Sequence, residues 1–272
     1  MTTVRAVLLA TLLGAAAWAG GAPAPRALHL RARSRVPAAG RAVPVVRSLT
    51  WDPCRTAIIV CDMWDAHYCR SAERRLRELA PRMNEVLKAA RRRGVTIIHA
   101  PSGTMAFYEN TPARRRMAAA RPAARAVLTE WCDFDPAREG AWPIDDAVLP
   151  CDDMMVDPGP RPAKRELPAL EIRDEDGVSD SADEIYAYCM KQGIRNLVYM
   201  GVHANKCVLG RAFGIRQMVT LGMHAVLVRD LTDATYDPRK WPWVSHARGT
   251  ELVVEHIETY WCPSILSEDL VR

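Results

Sequence analysis

The sequence predicts an α/β protein with a three-layer Rossmann-like fold, in which a parallel β-sheet is covered by helices on both faces. Two observations lead to this prediction. Short apolar runs rich in Val and Ile alternate along the chain with segments whose apolar residues recur every three or four positions. The segments between the runs are long enough to hold a helix, which neighbouring parallel strands need as a connection. With 49% hydrophobic and 25% charged residues, the 272-residue chain suffices for one large domain, or at most two small ones.

The N-terminal part is predicted to lie outside this domain. Residues 1–24 contain a positive charge, the apolar run AVLLATLLGAAAWAG and small residues suited to cleavage near Ala19 or Ala24, which is typical of a secretory signal peptide. We therefore expect an exported protein, periplasmic or extracellular, or one that is anchored if the peptide stays uncleaved. Residues 25–50 are rich in Arg, Ala and Pro without a clear period, which predicts a flexible linker. The folded domain is then expected over residues 51–272.

The first half of the domain carries a strand, a helix and a second strand. TAIIVCD at 56–62 is a short β-rich apolar run that ends in an acid, as expected of a buried parallel strand. Residues 71–93 place apolar residues at helical spacing with Arg and Glu between them, which predicts an amphipathic helix that Gly94 ends. VTIIHA at 95–100 is the next predicted strand. TPARRRMAAARPAARAVL predicts a further helix, broken near Pro122.

The second half repeats the alternation. A helix is predicted over 181–193, because Ser181 is a suitable cap and Glu184 follows it by three residues, the spacing of a capping box. The remaining predicted elements are a strand at 196–201, a helix at 207–221, a strand at 224–230 and a strand at 251–257.

A long loop and several cysteines lie between the two halves. Residues 131–162 carry Pro, Asp, Gly and Trp with little periodicity, which predicts a loop that is either a substrate lid or a surface insertion held by a disulfide. In an exported protein all eight cysteines are disulfide candidates, and none of them forms a CxxC pair typical of zinc ribbons or thioredoxins. Cys61 and Cys189 lie in apolar segments and are predicted core thiols. Cys132 and Cys151 flank the loop region and are the favoured disulfide pair.

Chemically active side chains follow several of the predicted strands. In parallel sheets, ligands bind at the carboxyl ends of the strands. That rule selects Asp62, His99, the segment 201–207 and Asp230. The sheet is therefore expected to gather an acid and a thiol at one edge.

Cys207 opens a predicted helix directly after a strand. Its thiol would face unpaired backbone N–H groups and the positive end of the helix dipole, which favour the thiolate and lower the pKa below about 8.5. The same N–H groups are suited to hold an oxyanion. The alternative is a small buried side chain that only packs. Asp62 has two interpretations as well: a base beside a nucleophilic thiol, or a structural acid that caps a neighbouring loop.

Three segments together resemble the isochorismatase-like cysteine hydrolases, a family that includes nicotinamidases and related amidases. TAIIVCDMWD is similar to the family's first strand, which ends in a catalytic Asp, here Asp62. GVHANKCV resembles the nucleophile motif, with Cys207 as the nucleophile. KRELPALEI fits the frame of the family's third catalytic residue, a lysine, here Lys164. The resemblance covers residues 56–262.

The resemblance implies a mechanism. Asp62 would take the thiol proton and pass it to the leaving group, Lys164 would keep Asp62 ionised, and Cys207 would attack a carbonyl or imine carbon. The backbone N–H groups of His203 and Cys207 would stabilise the tetrahedral adduct. The peptide bond between Val202 and His203 would be cis.

The chain departs from the family pattern just before the cysteine. Ala204-Asn205 replaces the usual Thr-Asp, and His203 stands where a small residue is common. We expect His203 and Ala204 to contribute to oxyanion or substrate binding, with packing as the alternative for His203. Nicotinamidases carry an Asp-x-His metal motif after the second strand, where this chain has HAPSGTM, so no metal and no cofactor are expected.

These observations favour an exported cysteine hydrolase that cleaves a small amide or a related C–N bond through Asp62, Lys164 and Cys207. The alternative is a small-molecule binding protein that keeps the family fold but has lost turnover. Catalytic side chains within hydrogen-bonding reach would favour the enzyme, and a displaced lysine would favour the binding protein. A redox or metal protein is a third and weaker hypothesis, because no paired ligand spacing occurs.

The composition also limits the partners. A small-molecule substrate is expected and nucleic acid is not, because the Arg runs at 91–93 and 114–116 have no aromatic residues interleaved with them. No stable membrane span is expected after signal cleavage. Self-association into a homo-oligomer is implied by the family resemblance.

Overall fold

A mixed β-sheet forms the centre of the protein. The computed structural model describes residues 27–38, 40–121, 128–147, 150–153 and 162–272. Within these residues the strands are β1 (Leu28–Ala38), β2 (Arg41–Trp51), β3 (Thr56–Cys61), β4 (Thr96–Ala100), β5 (Gly177–Val178), β6 (Asn196–Val202), β7 (His224–Asp233) and β8 (Ser264–Ile265). The helices are α1 (Arg70–Arg92), α2 (Met105–Tyr108), α3 (Pro112–Ala118), α4 (Pro136–Glu139), α5 (Ala182–Gln192), α6 (Cys207–Gly210), α7 (Ile215–Thr220), α8 (His246–Tyr260) and α9 (Glu268–Val271). None of these helices is long and apolar enough to cross a membrane.

The strand order is β2-β1-β8-β7-β6-β3-β4-β5, and the pairs from β8 to β5 are parallel. Residues on the two faces of β3 pack into different cores. Ile58 and Val60 join the core with α1, whereas Ile59 joins the core with α5, α7 and α8. The sheet is thus covered by helices on both faces, which confirms the predicted fold class.

The local patterns in the sequence correctly predict most elements. Strands β3, β4, β6 and β7 and helices α1 and α5 lie where they were predicted, within a few residues. Ser181 caps α5, and its hydroxyl accepts a hydrogen bond from the Glu184 N–H. The predicted signal peptide and the helix break near Pro122 lie outside the described residues.

The prediction of a flexible linker over residues 25–50 is not what the structure shows. Strands β1 and β2 pair antiparallel along their whole length and attach to the sheet through β8. Leu28, Leu30 and Ala32 alternate inward and are almost fully buried, and Arg33 pairs with Glu258 at 2.7 Å. This two-residue alternation is present in LHLRARSRV and is typical of a half-buried strand.

Two predictions near the C-terminus are also corrected. Residues 251–257, predicted as a strand, belong to helix α8, where Val253, Val254 and Ile257 face the core at helical spacing. Residues 207–221 form two short helices because the backbone of Arg211 is extended after α6, and α7 begins after Gly214. In α8, burial against the sheet outweighs the preference of Val253 and Val254 for strands.

The predicted Cys132–Cys151 disulfide is wrong. Cys151 is bonded to Cys69, which precedes α1, with 5.5 Å between their Cα atoms. Cys132 is a free thiol that contacts Thr129 instead. The start of α1 comes close to the loop only in the folded chain, so no local pattern predicts this pair. Cys61 and Cys189 are buried free thiols, as predicted.

Candidate active site

Asp62 stands where the strand order changes direction. It follows β3, which lies between β4 and β6, and such a position is where ligands bind in open α/β sheets. The carboxylate is fully buried. Its Oδ1 accepts a hydrogen bond from the Ser102 N–H at 2.7 Å, and its Oδ2 lies 3.1 Å from Nε of Arg211. The folded chain therefore provides both a backbone donor and a cation for this buried charge.

Cys207 is the first residue of α6, directly beyond the end of β6. Its side chain is close enough to Asp62 for side-chain hydrogen bonding to shift the pKa values of both groups. Burial, followed by the negative charge of Asp62, raises the pKa of the thiol well above its usual range. This contradicts the predicted lowering. Helix α6 has only four residues and a correspondingly weak dipole, whereas the side chain is almost fully buried.

The protonation states of Asp62 and Cys207 depend on each other. Burial raises the pKa of Asp62, and the Arg211 guanidinium opposes that rise. Two adjacent groups that both resist ionisation do not both carry a charge. The thiol is therefore the neutral group at physiological pH, and the Arg211 guanidinium favours the ionised form of Asp62.

Lys164 is not brought to Asp62. Its side chain is exposed, and its backbone N–H donates to Oδ1 of Asp65 at 2.9 Å. Within the described residues, Arg211 is the basic side chain that pairs with Asp62. Trp131 packs over this guanidinium, 5.6 Å from the centre of its ring. Arg211 was not predicted as a site residue, although its place four residues after Cys207 indicates that it lies near the thiol.

The segment before Cys207 adopts the backbone that the family resemblance implies. The Val202–His203 peptide bond is cis, and the backbone N–H of His203 opposes the rise in the pKa of the Cys207 thiol. Ala204 does not fill its predicted role. Its N–H donates to the Asp233 carbonyl at 2.8 Å, and its side chain is fully buried.

Asn205 has a structural role that explains one departure from the family pattern. Its amide Nδ2 donates to Oδ2 of Asp146 at 2.8 Å, and its Oδ1 accepts from the Thr235 N–H at 2.9 Å. An aspartate at this position would place two carboxylates against each other. The side chain of Asn205 therefore matches the acidic residue that the long loop brings to the site.

A pocket of about 450 Å³ opens over the Cys207 thiol. Its walls include Trp64, His67, Tyr68, His203 and Thr235, and the loop adds Asp146, Ala147 and Pro150. Nζ of Lys206 pairs with Asp146 at 3.0 Å at the side of this pocket. The loop is thus both a wall of the pocket and, through Cys151, a segment held by a disulfide. From the sequence, a substrate lid and an insertion held by a disulfide were predicted as alternatives.

Two other residues of the predicted edge do not reach the pocket. Nδ1 of His99 lies 2.7 Å from Oε2 of Glu166 in a fully buried ion pair. Asp230 accepts hydrogen bonds from the backbone and hydroxyl of Ser267. Both acids and the histidine stabilise the fold around the site.

The described residues contain side chains that are spaced closely enough to hold a metal ion. One cluster there has the required spacing, formed by Cys69, Cys151 and Asp152. The two sulfurs of this cluster are joined to each other as the disulfide.

Comparison with known proteins identifies the fold. No protein-family profile matches the chain, and no curated protein matches it in sequence. A crystal structure of a cysteine hydrolase from Pseudomonas syringae superimposes with a TM-score of 0.51 at 17% identity, covering 85% of this chain and 96% of that one. An isochorismatase from Pseudomonas putida gives 0.46 at 14% identity, covering 80% and 90%. The first of these similarities shows that the chain shares the fold of that cysteine hydrolase.

Proposed function

We propose that the protein is a cysteine hydrolase that cleaves a small amide or a related C–N bond. The observation that carries the proposal is the cluster of Cys207, Asp62 and Arg211, of which Cys207 lines a pocket. A thiol beside a carboxylate is the arrangement that a cysteine nucleophile with a general base requires. Arg211 supplies the positive charge that the family resemblance assigns to Lys164.

The reaction proceeds in two halves. Cys207 attacks the amide carbonyl carbon while Asp62 takes the thiol proton, and the His203 N–H faces the resulting oxyanion. Asp62 then gives the proton to the departing amine as the C–N bond breaks, leaving a thioester. Water adds to the thioester with Asp62 again as the base, the C–S bond breaks, and the acid product leaves with the thiol restored.

The resting thiol is neutral, so the nucleophile forms only as the substrate binds. Arginine does not release its proton, and its role is to stabilise the charge on Asp62 and on the adduct. Iodoacetamide, which reacts with thiolates, is therefore expected to modify Cys207 slowly in the free protein at neutral pH. A rate equal to that of an unperturbed thiolate would contradict this description of the site.

Replacement of the nucleophile tests the proposal. Cys207→Ala is expected to lower the release of amine from a panel of small amides and carbamates by at least about a thousandfold, without unfolding the protein. Cys54→Ala, which removes an exposed free thiol, is the matched control and should keep wild-type rates. Equal rates in wild type and Cys207→Ala would refute the cysteine mechanism.

A small-molecule binding protein is the second candidate function. It is favoured by two observations: the exposed Lys164 and the raised pKa of the Cys207 thiol. Binding without hydrolysis by the wild-type protein, measured by calorimetry and by amine release on the same compounds, would support this candidate over the enzyme.

The proposal includes export from the cytoplasm, since disulfides such as Cys69–Cys151 persist mainly in oxidising compartments. Mass spectrometry of the protein recovered from its native cells tests it. A mature N-terminus near Ala19 or Ala24 is the expected result, and an intact N-terminus in the cytoplasm would contradict it. Self-association stays a prediction.

A further inference from the structure

His203 is a residue of the pocket lining, and one nitrogen of its ring lacks a partner among the described residues. The residue is 2% exposed and lines the pocket together with Cys207. Its Nε2 is buried, and none of the described residues makes a hydrogen bond to it. Buried polar atoms are nearly always paired, because an unpaired one loses its hydration without compensation. An unpaired nitrogen in a pocket wall therefore indicates contact with a ligand.

His67 extends this polar part of the wall. Its ring centre lies 4.8 Å from that of His203, and it lines the same pocket. Its Nδ1 is occupied by the backbone of Cys69, at 3.1 Å from the N–H and 3.3 Å from the carbonyl oxygen. The protein contacts of His67 thus use the other side of the ring, and Nε2 is the nitrogen left for a ligand.

Both rings are neutral at physiological pH. Burial lowers the pKa of His203 to about 3, and burial also lowers the pKa of His67. A neutral imidazole has one donor nitrogen and one acceptor nitrogen, so the wall suits uncharged polar groups. The charges nearest the pocket, Lys206 and Asp146, neutralise each other in an ion pair. A charged ligand group would find no unpaired counter-charge among these residues.

The position of His203 also limits where the ligand's polar group lies. The backbone N–H of this residue is near enough to Cys207 to oppose the rise in the thiol pKa, so its side chain begins close to the carbonyl under attack. The rings of Trp64 and Tyr68 provide the apolar remainder of the wall. A polar group a few bonds from the carbonyl would meet the imidazole, and the rest of a short acyl chain would meet the aromatic rings.

We propose that His203 is a specificity-determining residue that selects uncharged amides whose acyl chain carries a hydroxyl group close to the carbonyl. The inference rests on the proposed function only in placing the amide carbonyl at Cys207. A site with a buried hydrogen-bonding group discriminates against the analogue that lacks the matching group, because its own polar atom then stays unpaired.

Binding measurements test this independently of turnover. In the Cys207→Ala background, calorimetry compares butanamide with 2-, 3- and 4-hydroxybutanamide. We expect at least one hydroxylated amide to bind roughly tenfold more tightly than butanamide. Adding His203→Phe, which keeps a ring but removes both nitrogens, should reduce this ratio to about one. His203→Gln, which restores a hydrogen-bonding end, should recover part of it.

His224→Phe is the matched control, because it makes the same substitution at an exposed histidine at the start of β7, which does not line the pocket. It should leave the ratio unchanged. If His203→Phe does not fold, His203→Leu provides the same comparison. A ratio that persists in the variants without the imidazole, or no discrimination by any of the three hydroxylated amides, would overturn the proposal. If the wild-type protein does not hydrolyse any of these amides while the binding ratio is as expected, the proposed enzyme is refuted and this role of His203 still stands.

Discussion

His99 and His203 are both buried, and their protonation states differ. His99 lies in β4 and His203 directly follows β6, and these two strands flank β3. His99 lies in β4 between Glu166 and Asp176, at 2.7 Å and 3.5 Å from their carboxylate oxygens. Burial disfavours the charged ring, but the two carboxylates raise the pKa of His99 to about 9. For His203 burial is the main cause, and its pKa falls to about 3.

The difference teaches that burial does not set the charge of a histidine by itself. The His99 ring lies against buried acids and is a cation. We call His99, Glu166 and Asp176 the sealed network, and removing a member of it should cost stability. A ring that faces a pocket stays neutral and is free to contact a ligand. The two histidines should therefore respond differently to mutation and to pH, and the following tests can sharpen or break the comparison.

The largest effect on stability is expected in the sealed network. Glu166→Gln leaves the charge of His99 with only the carboxylate of Asp176, which Arg91 already contacts at 2.6 Å. Removing one partner of a buried ion pair costs about 3–5 kcal/mol in the free energy of unfolding. Urea denaturation measures it. Glu175→Gln, which alters an exposed pair with Arg173, should cost less than about 1 kcal/mol. Equal effects of the two substitutions would contradict the sealed network.

The next largest effect is expected on the activity of the candidate active site, where Arg211 pairs with Asp62. Arg211→Gln removes the cation that opposes the rise in the pKa of Asp62, so the base should protonate at higher pH. We expect kcat to fall about a hundredfold and the acid limb of the kcat/KM profile to move to higher pH. Lys164→Ala is the control and should leave both unchanged. A larger loss with Lys164→Ala would restore the role predicted from the sequence.

The pH dependence of the free energy of unfolding tests the charge of His99. The folded pKa of His99 lies above its unfolded value of about 6.5, so its contribution is complete below that pH. It is lost as the pH rises through about 9, with a slope of at most about 1.4 kcal/mol per pH unit. Urea denaturation between pH 6 and 9.5 should show this loss in wild type and a shallower one in His99→Gln. Parallel curves would contradict the charge assigned to His99.

The smallest effect is expected at His203. His203→Phe removes an unpaired nitrogen and retains an aromatic ring, so the free energy of unfolding at pH 7 should change by no more than about 1 kcal/mol. His99→Phe, the matched change in the sealed network, should cost several times as much. Thermal denaturation of both variants at pH 7 makes the comparison. Similar losses would mean that His203 serves the fold rather than a ligand.

Several parts of the site could be predicted from local patterns. The apolar run before Asp62 and the one before Cys207 form neighbouring parallel strands, so the acid and the thiol meet where their strands end. The cap at Ser181 depends on a hydrogen bond only three residues away. The alternation in β1 was also present in the sequence and was overlooked.

Other parts depended on contacts between distant segments. Arg211 and Lys164 are both basic residues in plausible positions, and only the folded chain shows which one reaches Asp62. The Cys69–Cys151 bond joins residues 82 positions apart. The thiol pKa depends on how deeply Cys207 is buried, which a helix start in the sequence does not reveal.

The sequence by itself determined the α/β class, the central strands and the proximity of Asp62 and Cys207, because strand ends and helix caps follow from neighbours along the chain. The tertiary structure decided the cation beside Asp62, the disulfide, and the charge states of His99 and His203, of which the first is protonated and the second neutral. These depend on distance and burial in three dimensions, since ionisation follows the surroundings of a group and not its position in the chain.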